Sequence, residues 1–358
     1  MSRTSRVIVI LIVGIFASII RPAEANVPTI DDLKKITVTG PLAPSTRNKM
    51  EEYIGYYVNQ MKSAKEFKEV IRARKELLKG YNIHDSSYWR SSYAAICAER
   101  LVALLDIPDV ARQVQVGIVL EKMPQYTIQP AVEKMAKHSN PAVRYWAVKA
   151  YKSSIRRILL YDIRAQKMFK TLKRLGMTDS GPILMVVLRC LTPYPDMDEK
   201  AVSTMKSLFD EIWLTRCKDI YAGKVDVIQT YRKMVRFLIP FNEAGKKRIL
   251  QLLTDALEAA TLGFVNSGDE KKAAAKQLKE LIVTLENKLA DVSSTTETPI
   301  LKILDEKLSS MEKAIRVRLK VNEYWKPILA KYGIKPRFHA SDKEKTTTRP
   351  TTTTSPNR

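Results

Sequence analysis

The sequence predicts an all-α protein, and three observations carry that prediction. Almost nothing in its 358 residues alternates with period two, as half-buried strands would. Glycine, with 12 residues, is scarce for a fold built on tight turns. Apolar residues recur instead at spacings of three and four, which lines one side of a helix. A chain of this length can hold a large core, or an array of units with no single centre.

Residues 1–25 have the pattern of an export leader and stand outside the fold. Arg3 and Arg6 precede an apolar run from Val7 to Ile20, 14 residues and shorter than the ~20 a spanning helix needs. Ala23-Glu24-Ala25 puts small residues where a signal peptidase reads, so cleavage is expected after Ala25. The mature chain is then expected to be secreted or periplasmic, with no transmembrane span. Residues 26–44, carrying Pro28, Pro41 and Pro44, suggest an extended lead-in. Residues 45–335 suggest one helical domain, and 336–358 a disordered Thr/Pro-rich tail. Seven of the last 19 residues are threonine, too little apolar surface to offset the entropy of ordering.

Within the domain the helices follow one another. Ser45 or Thr46 can cap a first helix with Tyr53, Tyr57 and Met61 on one face, and a second with Phe67, Val70, Leu77 and Leu78 is expected to stop at Gly80. A third runs from Asp85 to Leu105, a fourth opens at Pro108, and a short one covers Thr127 to Lys137. Next comes KHSNPAVRYWAVKAY, residues 137–151: Ser139 or Asn140 caps, Pro141 sits where its missing donor costs nothing, and Val143, Ala147 and Ala150 form a packing stripe. Asp162 to Leu175 is expected to end at Gly176, with Thr178 or Asp179 capping an apolar helix that contains Ile183 to Leu188. Further helices are expected over 198–221, 224–239, 243–264 and 269–289, and one long helix from Ile300 to about Tyr332.

Pro141-Ala142-Val143-Arg144 followed by Ala147 and Ala150 resembles the start of the second helix of a HEAT/armadillo-type repeat. Weaker echoes lie in 85–105, with Arg90, and 108–121, with Arg112. In that family an aspartate of the preceding turn often bonds such an arginine; here His138 and Asn140 occupy the turn. The resemblance implies a right-handed α-solenoid of antiparallel helix pairs, degenerate because Arg90, Arg112 and Arg144 are unevenly spaced, and an irregular helical bundle is the alternative.

No motif for catalysis, metal or cofactor stands out. His84, His138 and His339 are the only histidines, and no His-Glu-x-x-His, Cys-x-x-Cys, Gly-x-Ser-x-Gly or phosphate-binding glycine loop occurs. Asp179-Ser180-Gly181 is better explained by capping than as a nucleophile. Cys97, Cys190 and Cys217 suit buried thiols, with a Cys190 to Cys217 bridge as the alternative.

The positive signal is charge. Lys plus Arg number 61 against 38 Asp plus Glu, a net +23; removing residues 1–25 takes away Arg3, Arg6, Arg21 and the negative Glu24, leaving +21. Lys149, Lys152, Arg156, Arg157, Arg164, Lys167, Lys170 and Arg174 form cationic stripes on two consecutive helices, with Lys173 beside them. Further clusters run from Arg232 to Arg248 and from Lys313 to Lys326. The expectation is a non-enzymatic scaffold, without cofactor, that binds an acidic protein or anionic polymer or surface. Export makes nucleic acid the less natural target. The rival is an envelope assembly protein that binds a protein partner through apolar grooves.

Overall fold

The computed structural model describes residues 27–240, 242–267, 272–306 and 309–338. The expected leader with its cleavage after Ala25, the tail from His339 and the residue Phe241 lie outside the described residues. Among those described, the chain is all-α and has no strand. It forms two compact units, one up to Met135 and one from Ala136.

The first unit holds α1 (Ile30–Lys34), α2 (Pro44–Ser63), α3 (Phe67–Asn82), α4 (Ser87–Leu101), α5 (Val110–Glu121) and all but the last residue of α6 (Gln129–Ala136). Helix α1 interrupts the expected extended lead-in, because Thr29 and Asp32 cap each other's backbone N–H groups and Leu33 is buried. Helix α2 begins with Pro44 in its first turn and Ala43 as cap, rather than at Ser45 or Thr46. Short connections reverse the chain, so α2 packs beside α4 and α3 beside α5. Helix α3 runs through Gly80, which is no stop signal. A Cβ there would lie 2.5 Å from the Tyr93 hydroxyl and 2.8 Å from the Tyr53 ring. The glycine lets two tyrosines close on the helix.

The second unit contains α7 (Pro141–Ile158), α8 (Asp162–Thr178), α9 (Gly181–Cys190), α10 (Glu199–Tyr221), α11 (Val225–Val235), α12 (Glu243–Val265) and α13 (Lys272–Ser293), then α14 (Pro299–Asp305), α15 (Ser310–Lys320) and α16 (Lys326–Ala330). Helices α7, α9, α11 and α13 lie side by side in one layer, and α8, α10 and α12 in a second. Each helix of one layer is joined to the next helix of the other, the arrangement of stacked helix pairs that the repeat resemblance implies. Helix α7 starts as expected: the Asn140 carboxamide oxygen accepts the Ala142 N–H at 2.8 Å, and Val143, Ala147 and Ala150 are fully buried. Helix α8 passes Gly176 and runs to Thr178; the glycine is needed for close packing, since a Cβ there would meet Ile212 at 2.6 Å. Thr178 and Asp179 do not cap α9; Ser180 occupies the cap position. Helix α11 ends at Val235, short of the expected Ile239. The single long helix expected from Ile300 to Tyr332 is broken between α14 and α15, where Ser309 and Glu312 form a capping box that starts a new helix. The buried Glu286 carboxylate holds the start of α14 by accepting the N–H groups of Ile300 (2.8 Å) and Leu301 (2.6 Å), and it accepts the Trp325 indole N–H at 3.0 Å.

Candidate functional site

Neighbouring helices of a layer carry no backbone bonds to one another, so side chains must supply every polar tie between them. In the second unit cations do much of this. Arg144 donates to the carbonyls of His138 (2.9 Å) and Ser139 (2.6 Å) in its own turn, and to both carboxylate oxygens of Asp179 in the next. The turn aspartate bonded to arginine is therefore present, 35 residues beyond Arg144 rather than in its own turn. Arg174 donates to the Ala136 carbonyl at 2.6 Å, across 38 residues, and Arg216 to the Met177 carbonyl at 2.6 Å, across 39. Both carbonyls lie at helix C-termini, where acceptors lack intrahelical donors and the dipole favours a cation. Arg248 holds Asp210 across 38 residues, Arg156 holds Asp196 across 40, and the Trp213 indole donates to the Leu252 carbonyl across 39. The regular period of this chain lies in these ties.

The stripe residues divide accordingly. Lys149 lies 5.6 Å from the Trp146 ring centroid. Lys152 is half-buried and faces Cys190, whose thiol is pushed up to about 12 by burial, with the ammonium pulling the other way. Arg156 sits 4.7 Å over Tyr194 while paired with Asp196. Arg164 sits 5.8 Å over Tyr161. Arg157, Lys167 and Lys170 are exposed, and Lys173 pairs with Glu211. The stripes lie on α7 and α8, which belong to different layers. The chain instead brings Arg156 and Arg157, at the end of α7, to the same turn as Arg164 and Lys167, at the start of α8. Arg174, at the far end of α8, ties helices together.

The other two basic clusters are also largely occupied within the fold. Arg232 pairs with Glu280, Arg248 with Asp210, Arg316 with Glu306 and Arg318 with Glu258. Lys313 donates to the Leu304 carbonyl at 3.0 Å.

The histidines have structural roles where they are described. His84 meets the Leu33 carbonyl through Nε2 at 3.1 Å and packs edge-on against Trp89; Nδ1 of His138 accepts the Asn140 N–H at 3.0 Å. His339 lies outside the described residues. Cys97, Cys190 and Cys217 are buried free thiols, without the Cys190 to Cys217 bridge, and burial raises the pKa of each. Among the described residues no group of His, Cys, Asp and Glu could hold a metal ion, and no helix is long and apolar enough to cross a membrane. Open hollows occur among the described residues. One of about 620 Å³ lies against Tyr56, Tyr57, Glu69, Arg72 and Glu76, and one of about 420 Å³ against Arg156, Leu159, Leu160, Phe169 and Met197. Neither is lined by a histidine.

Sequence reasoning missed a set of apolar residues at the turns. Leu160 is 77% exposed, Ile163 72%, Ile239 59% and Phe237 53%, the four most exposed large apolar side chains among the described residues. Ile163 falls outside the buried stripe of α8 that Ala165, Met168 and Leu172 mark, whereas Leu160, Phe237 and Ile239 lie beyond the ends of α7 and α11, where no helical period marks a face.

The geometry defines an α-helical repeat array. No family model and no curated protein matches the sequence. Among solved structures, the chain is similar to an engineered protein at 13% identity and a TM-score of 0.37, covering 65% of this chain and 98% of that one. A second engineered protein matches at 12% identity and a TM-score of 0.34, covering 66% and 97%. A computationally designed armadillo repeat protein for modular peptide recognition matches at 13% and 0.30, covering 74% and 99%.

Proposed function

We propose that this chain is an exported, non-enzymatic helical-repeat scaffold that binds an acidic protein or anionic polymer or surface. The observation that carries the reading is the cationic turn of the second unit. Arg157 and Lys167 are exposed there beside Arg156 and Arg164, on a chain whose net charge is +23. Such a site attracts anions over the Debye length and loses affinity steeply as salt rises. Export follows from the pattern of residues 1–25, with Ala25 as the cleavage position and a secreted or periplasmic destination.

The test is retention on a dextran sulfate column over a salt gradient. The combined variant Arg157→Glu, Arg164→Glu, Lys167→Glu is expected to elute at much lower salt than the wild-type chain. Unchanged elution would overturn the reading.

A further inference from the structure

The turns that follow α7, α9 and α11 stand at one edge of the second unit, because each leads from the first layer back to the second. Side chains join them in sequence. Arg156, at the end of α7, reaches Tyr194 and Asp196 in the turn after α9. Arg189, at the end of α9, lies 4.2 Å from the ring centroid of Phe237 in the turn after α11. The four most exposed large apolar side chains thus share one edge: Leu160 and Ile163 at its first turn, Phe237 and Ile239 at its third.

We infer that this edge docks on an anionic phospholipid bilayer, the turn tips entering the headgroup boundary and the flanking cations meeting lipid phosphates. Three features favour a bilayer over a folded protein as the occupant. The apolar side chains are carried on separate tips rather than in one groove, so each can enter a soft interface independently. Every tip has cations beside it: Arg157, Arg164 and Lys167 at the first, Lys233 and Arg236 at the third. Of the carboxylates of the edge, Asp196 pairs with Arg156 and Asp198 caps α10, and the cations at the two apolar tips outnumber the exposed Asp162, Glu199 and Glu243. Apolar insertion combined with basic attraction is the two-signal arrangement that reversible membrane binding requires. The 420 Å³ hollow opens on the same edge, against Leu159, Leu160, Phe169 and Met197.

The inference rests on the proposed anion binding for its cationic half and on the exposed tips for the other, so two readouts separate them. The full chain is sedimented with vesicles of phosphatidylcholine and phosphatidylglycerol, with pure phosphatidylcholine vesicles alongside, and is run in parallel on the dextran sulfate column. Wild type is expected to sediment with the anionic vesicles and to remain free with the neutral ones. The variant Leu160→Ser, Ile163→Ser is expected to lose about tenfold or more in vesicle affinity while eluting from the column as wild type does. Both side chains project into solvent, so circular dichroism and the melting temperature are expected to match wild type. A second measurement places a dye at Leu160→Cys. The three native thiols are buried, so labelling reports this site. Blue-shifted emission on anionic vesicles supports insertion. Column retention without vesicle binding, or vesicle binding that the serine variant retains, overturns the bilayer inference and leaves the proposed function standing. Failure of wild type on both surfaces overturns both.

Discussion

The two units are fastened differently. In the first, three aromatic side chains donate to carbonyls in the last turns of α3: Tyr53 to Glu76 at 3.0 Å, Tyr93 to Leu77 at 2.9 Å and the Trp89 indole to Gly80 at 3.0 Å. Cationic ties are fewer here: Arg112 donates to the carbonyls of Lys62 and Ala64, Arg74 to the Gln115 side chain at 2.7 Å and Lys134 to Asp106 at 2.8 Å. The second unit has one comparable aromatic centre, where Trp213 donates to Leu252 and Tyr231 to Trp213. Around it charged ties each span 38 to 40 residues of sequence. Neutral donors buried beside carbonyls respond little to salt or pH. Arginine and carboxylate pairs respond to both in proportion to their exposure. The contrast predicts that one unit is locked by burial, whereas the other is partly held by groups that solvent can reach.

The largest effects should come from the aromatic centres. Trp89→Ala in the first unit and Trp213→Ala in the second each remove a fully buried indole and its hydrogen bond, and the first also orphans the Gly80 carbonyl in the last turn of α3. Each should cost about 3–5 kcal/mol, read from urea midpoints. Hydrogen exchange then sharpens the comparison: loss of protection concentrated in the mutated unit supports independent fastening, and equal loss in both breaks it.

Next comes the buried carboxylate Asp255, fully inaccessible, which accepts the Arg337 backbone N–H at 2.7 Å and its guanidinium at 2.7 and 2.9 Å. Arg337 itself is 42% exposed. Removing either partner leaves a different remnant. Arg337→Ala strands a carboxylate in the core and should cost about 2–3 kcal/mol, whereas Asp255→Ala frees an arginine that water can solvate. The arginine variant should therefore melt at lower temperature. The reverse order would show that the segment 334–338 is held by Phe338 and its backbone rather than by this pair.

Glu286 supplies the pH test. Burial raises its pKa above the ordinary glutamate value, against the opposing pull of the Ile300, Trp325 and Leu301 N–H groups. Between the unfolded value, about 4.3, and the raised folded one, the native state binds more protons. Stability from this group is therefore greatest at the acid end and falls as pH rises, levelling off above the folded value. Glu286→Gln abolishes the titration and turns one acceptor into an amide N–H₂. Urea midpoints measured from about pH 4.5 to 7 should show a falling wild-type minus variant difference. A flat difference would mean that the three donors outweigh burial.

Helix content was legible from the period of three to four, and so was the start of α7, since Asn140, Pro141, Val143, Ala147 and Ala150 act within a few residues of one another. The misread positions share one cause. Gly80 and Gly176 look like stops because their neighbours in space, Tyr93, Tyr53 and Ile212, are not their neighbours in sequence. The partner of Arg144 was sought at its own turn, whereas Asp179 enters from the next. The cationic stripes were visible as charge, but which cations serve as ties depends on carboxylates and carbonyls about 40 residues away. Leu160 lies outside both α7 and α8, so no helical period marks it as exposed.

The smallest effect divides the charged ties themselves. Arg144 and Asp179 are 19% and 10% exposed, while Lys173 and Glu211 are 49% and 47% exposed. The first pair is a planar fork on a carboxylate, held in place by two carbonyls of its own turn; the second is a single contact between flexible chains in water. Double-mutant cycles to alanine should give about 1.5–3 kcal/mol for Arg144 with Asp179 and about 0–0.5 kcal/mol for Lys173 with Glu211. Repeating both cycles at high salt should erase the second coupling and leave most of the first. If the two couplings were equal, exposure would not be what grades the ties of the second unit, and its expected sensitivity to salt would have to come from all of them together.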